Sequence, residues 1–546
     1  MVNFFSELLI TTALQHTQQH LLVKLSKRLD FTRLDKLAST YHHTTGPGAP
    51  VTHQASTLVR AILVKYIYKL SLRQTEEHLW SDMLARWFVG LSIFDPPPDH
   101  TTLERFEMWL NDNHHDAIFD EILQQIDQDF PDEHNKTQIG DTYAMRANAA
   151  RKDLMPLIRE TCKDVIQLAI STLPSQFESS FSGFEWTDLF GIYKEPRTFA
   201  MTEDQRTQRL QGLVLAALDL QTRLSAILEK QPLKELPALR SRLADLNKII
   251  TDEVSVQEKT VRRLPAKEQG SYRIGSASDP EATYRKHGSE PEDTTLGYNV
   301  QVAVSTSGFV RSTKAYTGAF SDRAGVAPLI SAQKERQGFY PPKLIYDLAA
   351  GCGKTRAEVE QASHGQTLLV SKLPPYDRRT ELFGPYDFTL SEDGKSLTCP
   401  NGKTTEVSYP SGGGEGRDFR FYPFHCWHQL PRGKETPDLT QRCLLWNKCR
   451  NAEQGPRTNR KVYISTYRDQ VKAAQIYNQT EAFQQEMKTR SKVERIIFEL
   501  TNYYDARDCR RRGTKNADWQ AQLCATAYNL KHWLRRLDLH RMNSAC

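Results

Sequence analysis

Two aspartates and a glutamate, widely separated along the chain, lie in segments that can bring them together. Asp141 lies inside 137–145, Thr-Gln-Ile-Gly-Asp-Thr-Tyr-Ala-Met, a stretch that predicts a short strand. Asp347 closes Lys343-Leu-Ile-Tyr-Asp347, an apolar run that predicts a buried strand. Glu494 lies on a predicted helix from Glu486 to about Tyr504. Hard divalent cations such as Mg2+ or Mn2+ take oxygen ligands, usually one or two carboxylates completed by water and substrate phosphate. Carboxylates converging from two strands and a helix would hold such ions for an in-line displacement at phosphorus.

The helix carrying Glu494 has an apolar stripe of Val493, Ile496, Ile497 and Leu500, at the spacing that packs one face on a core. Glu494 sits at the edge of that stripe. Arg490 precedes it by four residues and shares its face, and Lys492 and Arg495 flank it. Taken alone, an Arg and a Glu four apart also reads as an exposed ion pair. Asp322 is a rival carboxylate, but Ser321-Asp322 reads as the cap of a following helix.

Periodicity predicts the elements that would position these groups. Residues 1–135 read as short helices. Leu58, Ile62, Leu63 and Ile67 recur at helical spacing, and Ser71 to Trp80 reads as a second helix. Pro96-Pro97-Pro98 must break any helix. Asp99-His-Thr-Thr-Leu-Glu-Arg105 starts another, with a Thr cap. Such helices suit either a helix-turn-helix-like DNA-binding module or a plain bundle. Residues from about 150 to 268, rich in Leu, Gln, Arg, Lys and Glu, predict an inserted helical subdomain, in the simplest form an antiparallel helix pair.

From Gly297 the period becomes two. Tyr298, Val300, Val302 and Val304 alternate with Asn299, Gln301, Ala303 and Ser305, which predicts a half-buried strand. A turn at Ser307-Gly308 and a strand from Phe309 to Tyr316 complete a hairpin, a helix follows over 322–336, and then comes the strand ending at Asp347. Without the insertion the order is strand, strand, strand, helix, strand. That is the order of a ribonuclease-H-like fold, whose first and fourth strands lie side by side and each supply an acid. The predicted class is α/β, a ribonuclease-H-like core with an α-helical N-terminal domain, a helical insertion and a Cys-containing insertion. The expected boundaries are 1–135 for the helical domain, 136–150 for the first core strand, 151–270 for the helical insertion, 271–374 for the continued core, 375–465 for the Cys-containing insertion and 466–546 for the C-terminal helical part of the core.

The chain has 546 residues, long enough for about three domains and for a core that needs no disulfide or metal. Its 39% hydrophobic and 25% charged residues exclude collagen-like, wholly disordered and multi-span membrane classes. No apolar run approaches the roughly 18–20 residues of a membrane helix. Met1-Val-Asn-Phe-Phe-Ser-Glu7 lacks the basic start and cleavage site of a signal peptide, so a cytosolic protein is expected.

Nine cysteines argue against a secreted disulfide framework. Four of them, Cys399, Cys426, Cys443 and Cys449, share the insertion rich in Gly, Pro and aromatics. Cys399-Pro-Asn-Gly402 reads as a knuckle turn, and His425 and His428 adjoin Cys426. No closely spaced Cys pair exists, so the set fits either a structural zinc site or buried thiols. From Lys488 to Arg541, thirteen Lys and Arg stand against six Asp and Glu. With Arg511, Arg512 and Lys515 in one basic run, this predicts a face for a polyanion, most simply nucleic acid. Gly351-Cys-Gly-Lys-Thr355 mimics the end of a phosphate-binding loop, but Leu348 stands where its first Gly is required. Lys354 remains a candidate for DNA contact.

Several pieces together resemble the bacterial insertion-sequence DDE transposases with an InsH-like N-terminal helical domain. They are Asp141-Thr-Tyr-Ala-Met-Arg-Ala-Asn148, Asp279-Pro-Glu-Ala282, Gly297-Tyr-Asn-Val-Gln-Val-Ala-Val304, Leu344-Ile-Tyr-Asp347, Arg490-Ser-Lys-Val-Glu494-Arg-Ile-Ile-Phe498, Arg511-Arg-Gly-Thr-Lys515 and Ala527-Tyr-Asn-Leu-Lys531. Their order resembles the family from about residue 55 to 536. The resemblance implies that Asp141, Asp347 and Glu494 form a metal-binding catalytic triad and that Arg490 contacts DNA phosphate. It implies Mg2+ or Mn2+ as cofactor, terminal inverted repeats and target DNA as partners, a homodimer on DNA, no membrane, and a cytoplasmic, nucleoid-associated location. Many relatives carry a Tyr one turn before the Arg and a Lys seven residues after the Glu, where this chain has Met487 and Thr501. Two other readings compete: a metal-dependent nuclease that cuts without joining, and a catalytically silent DNA-binding descendant.

Overall fold

The computed structural model describes residues 10–42, 52–232, 235–286, 293–374, 382–428, 438–450 and 457–544. The first seven residues, read above for a signal peptide, lie outside them. The main N-terminal helices are α1 (Ala55–Ile67), α2 (His100–Asn113) and α3 (Ala117–Asp129). Helix α1 is buried nearly all round, down to Lys65, so it is a core helix and not a surface one. Ser71 opens the next helix, Leu72–Ser81, with a capping box to Gln74. Helix α2 is capped by Asp99, whose carboxylate accepts the N–H groups of Thr101 and Thr102. The expected Thr cap is displaced because one anionic side chain satisfies two orphan donors.

Strand β1 (Gln138–Arg146) is followed by the helical insertion: α4 (Leu154–Thr172), α5 (Glu203–Leu228) and α6 (Pro237–Glu253). The rest of the core follows as β2 (Thr283–Lys286), β3 (Thr294–Ser305), β4 (Val310–Thr317), α7 (Val326–Gln337), β5 (Lys343–Ile345), α8 (Gly353–Ala362) and β6 (Leu368–Val370). The sheet order is β2-β3-β1-β5-β6, with β4 also paired to β3. Strand β1 runs antiparallel to β3 and parallel to β5, and β5 runs parallel to β6.

Two expectations change here. Strand β3 is buried on both faces from Gly297 to Ser305, not half-buried. Its polar set is covered because it has internal partners: Asn299 donates to the Phe320 carbonyl and to Asp322, and Gln301 donates to the Asp322 carbonyl. The helical insertion is more than a helix pair. Helix α4 packs on both α5 and α6 around a core of its own, including Leu157, Val165, Leu220 and Leu246. The predicted helical stretch also ends in a two-stranded ribbon, Val254–Gln257 with Thr260–Arg263.

The Cys-containing insertion has a sheet of β7 (Ser408–Ser411), β8 (Gly416–Phe421) and β9 (Arg460–Ser465). It has a second sheet made of two-residue strands and a small core around Phe388, Leu397, Phe419, Phe421, Val462 and Ile464. The chain ends with α9 (Ser491–Tyr503) and the long α10 (Thr514–Ser544). Helix α10 is a central post. Ala517, Leu523, Leu530 and Trp533 join the N-terminal helices and the sheet in one hydrophobic core. Its buried polar groups reach across: Asp518 meets His115 and Lys314, Asn529 bonds the Val310 backbone, and Trp533 donates to Asp129. The boundary expected at residue 135 therefore does not divide cores. Among the described residues no helix is long and apolar enough to cross a membrane.

Candidate active site

Strands β1 and β5 pair with Gln138 opposite Leu344 and Ile139 opposite Ile345. Carried two residues on, the same parallel register sets Asp141 beside Asp347, just past the end of β5. Asp347 is fixed there by its own cap: its carboxylate accepts the Ala349 N–H at 3.0 Å, and its carbonyl accepts the Ser371 hydroxyl at 2.5 Å. Helix α9 lies against β1, held by buried Val493, Ile496 and Leu500, and carries Glu494 in its first turn.

Arg490 joins two of the acids. One guanidinium nitrogen is 2.7 Å from Glu494 Oε1 and the other is 3.4 Å from Asp141 Oδ2. Burial pushes the Asp141 carboxyl up, against the Thr142 N–H and Arg490, and the charges of Asp347 and Glu494 push it further. The three acids are thus within electrostatic reach, with Arg490 as counterion to Asp141 and Glu494. Among the described residues no three His, Cys, Asp or Glu side chains close on one point tightly enough to hold an ion. Among these three acids, the guanidinium links Asp141 to Glu494.

A supporting layer lies behind Asp141, and the sequence reading missed it. Arg285 on β2 is buried; it donates to Thr142 Oγ1 at 2.7 Å and to Asn299, and lies 3.7 Å from Asp322. Burial lowers its pKa, opposed by the charges of Asp322 and Asp141. The cap expected at Ser321-Asp322 is corrected: Ser321 stands at the cap position but makes no side-chain cap hydrogen bond, and the Asp322 carboxylate accepts from Asn299 at 2.5 Å. The only sequence signal for Arg285 is a charged residue inside a short strand, which identifies no partner. Tyr346 is buried, and its hydroxyl has no hydrogen-bond partner among the described residues. Its ring lies against Gly140, where a Cβ would come 2.3 Å from Cε2, so the residue before Asp141 must be glycine for the strands to pair this closely.

The predicted DNA-facing cations divide. Lys492 and Arg495 are exposed on α9 beside Glu494. Arg512 is exposed and donates to the Asn148 carbonyl at 3.2 Å, and Lys515 pairs with Asp112 at 2.6 Å. Arg511 turns inward, 3.3 Å from Glu107 and 3.6 Å from Glu104. The reason is Glu107, a buried carboxylate also held by Lys65, Tyr66 and Trp519. Burial alone would push that carboxyl up, but Lys65 and Arg511 hold it at about 2.

Lys354 pairs with Glu415 of the Cys-containing insertion at 2.7 Å. Thr501 is buried, its hydroxyl bonded back to the Ile497 carbonyl, and Met487 packs against the main core. Cys399, Cys426, Cys443 and Cys449 line one small cavity in the insertion.

Residues 11–108 match a transposase domain, DUF772, and residues 398–534 match a transposase DDE domain. The second match contains Glu494 and Arg490. No curated protein and no solved structure matches the chain.

Proposed function

Since the chain is an insertion-sequence DDE transposase, an enzyme that cuts DNA and transfers strands, we propose that Asp141, Asp347 and Glu494 are its acidic triad on a ribonuclease-H-like core. The observation that carries this reading is the parallel β1–β5 register, which sets two aspartates side by side while Arg490 ties in the glutamate. The sheet order, in which β1 lies beside β5, the strand that leads to Asp347, supports the ribonuclease-H-like assignment.

The donor set suits a hard divalent cation. It is all carboxylate, it carries mutual repulsion, and its counterion is a guanidinium able to swing away. Asp141, Asp347 and Glu494 would hold Mg2+ or Mn2+, which when bound activates the attacking oxygen and stabilises the leaving one. The protein's own part is positioning and charge. The sheet fixes the two aspartates, and Thr142 and Arg285 brace the strand behind Asp141. Arg490 passes from carboxylates to a DNA phosphate, which it can grip with two parallel donors. Lys492 and Arg495 extend the contact along the DNA backbone, with Arg512 and Lys515 on the basic run beyond. The N-terminal helices read terminal inverted repeats, two copies of the chain hold two ends, and the work is done at the nucleoid in the cytoplasm.

The test is Mg2+-dependent cleavage of a plasmid carrying the gene's native flanks. Wild type should cut at the repeat ends and join them to target DNA, and Asp347→Asn should do neither. Cleavage that survives in Asp347→Asn refutes the triad. Cutting without joined product makes the chain a nuclease.

A further inference from the structure

Outside the catalytic site, the insertion gathers four cysteines drawn from 51 positions of sequence onto one small cavity. We infer that Cys399, Cys426, Cys443 and Cys449 form a tetrathiolate site for a zinc-class cation that holds the Cys-containing insertion together. This goes beyond the transposase chemistry and does not depend on it.

The cavity has a volume of about 20 Å3, room for a single water-sized occupant. Its remaining walls are mostly apolar, with Phe388, Phe421 and Trp446 among them, so it offers little to a water molecule. The backbone is already shaped for ligand thiolates. At Cys399 the chain makes a tight turn: the Gly402 N–H bonds the Cys399 carbonyl at 2.8 Å, and the Lys403 N–H points at the Cys399 sulfur at 3.4 Å. Gly402 holds a positive φ of 76°, which a glycine adopts without strain. Cys426 and Cys443 are tied by a 2.7 Å bond from the Cys443 N–H to the Cys426 carbonyl. Arg450 reaches the Cys426 sulfur at 3.4 Å, a second donor aimed at a cysteine sulfur.

All four cysteines are unpaired, so no disulfide explains their convergence. They ring the cavity without meeting at one point. Closing on a cation would draw them inward and release their protons, so metal affinity and folding of the insertion are coupled. The need is plain in the insertion's own small core of six buried apolar residues, with one of its two sheets made of strands only two residues long. Four soft sulfur donors select zinc over the oxygen-loving cations of the triad.

Metal content of the purified full-length chain tests this. About one zinc per chain is expected. Cobalt exchanged into the same protein should show thiolate-to-cobalt charge-transfer absorption with tetrahedral ligand-field bands. Cys426→Ser and Cys443→Ser should each lose the metal, whereas Cys162→Ser and Cys524→Ser, buried elsewhere, should keep it. Should the serine variants fail to fold, titrating wild type with a mercurial should release the zinc as four thiols are consumed. Wild type that carries no zinc and gives no cobalt–thiolate absorption overturns the site, as does zinc retained in both Cys426→Ser and Cys443→Ser.

Discussion

Replacing Arg490 with alanine separates the two roles proposed for this side chain. In the DNA-free chain the guanidinium neutralises Asp141 and Glu494 at 3.4 and 2.7 Å. A divalent cation must weaken both pairs to bind. Partly exposed ion pairs are worth roughly 0.2–1 kcal/mol each, so the two together oppose metal by about 1 kcal/mol. Arg490→Ala should therefore tighten Mn2+ binding to DNA-free protein by roughly fivefold, and Arg490→Lys, which cannot bridge both acids, by less. The assay is titration with Mn2+, following the free ion by electron paramagnetic resonance. The same Arg490→Ala variant should lose Mg2+-dependent DNA cleavage, because it removes the side chain proposed to grip the DNA phosphate. Mn2+ affinity that stays within about twofold of wild type, or falls, would refute the idea that Arg490 stands in for the metal.

Other outcomes follow from the buried groups. Lys65→Met leaves Glu107 buried with one cation fewer and should destabilise the fold by about 3–5 kcal/mol, while the double variant Lys65→Met/Glu107→Leu should recover much of that; denaturant midpoints decide it. The Glu107 carboxyl is depressed to about 2 from an ordinary 4.5, so its contribution to stability is full above about pH 4.5 and lost as pH falls through 2. Acid unfolding of Glu107→Gln should lack that loss, measured as stability against pH. Gly140→Ala would force a Cβ to 2.3 Å from the Tyr346 ring and should cost about 1–3 kcal/mol and slow cleavage by shifting Asp141, whereas Tyr346→Phe, which removes an unpartnered hydroxyl, should leave stability and cleavage near wild type.

Much of the core was legible because its signals are local. The alternation from Tyr298 to Val304 is a strand wherever it lies, and an apolar run ending on Asp347 reads as a buried strand with an acid at its end. The stripe from Val493 to Leu500 fixed which face of α9 is buried, and thus where Glu494 stands. What was missed is non-local. Nothing near Arg285 names Asp322, Asn299 and Thr142 as its partners, since they come from three other segments. The Thr cap proposed for α2 gave way to Asp99 because local rules allowed both, and the number of orphan N–H groups satisfied decided between them.

The sequence by itself determined the hairpin, the three acids on separate elements, the helical insertion and the clustering of cysteines, because composition and period are properties of short segments, whereas the short edge strand β2 went unread. Tertiary structure decided which charges face outward. Arg511 and Lys492 look alike as residues in basic runs, yet Arg511 is committed to buried Glu107 while Lys492 remains exposed. It also decided that the described N-terminal helices share a core with α10. Those outcomes depend on which surfaces meet across hundreds of residues. A buried carboxylate draws in whatever cation the packing brings near, because leaving it unpaired costs several kcal/mol, far more than any local preference.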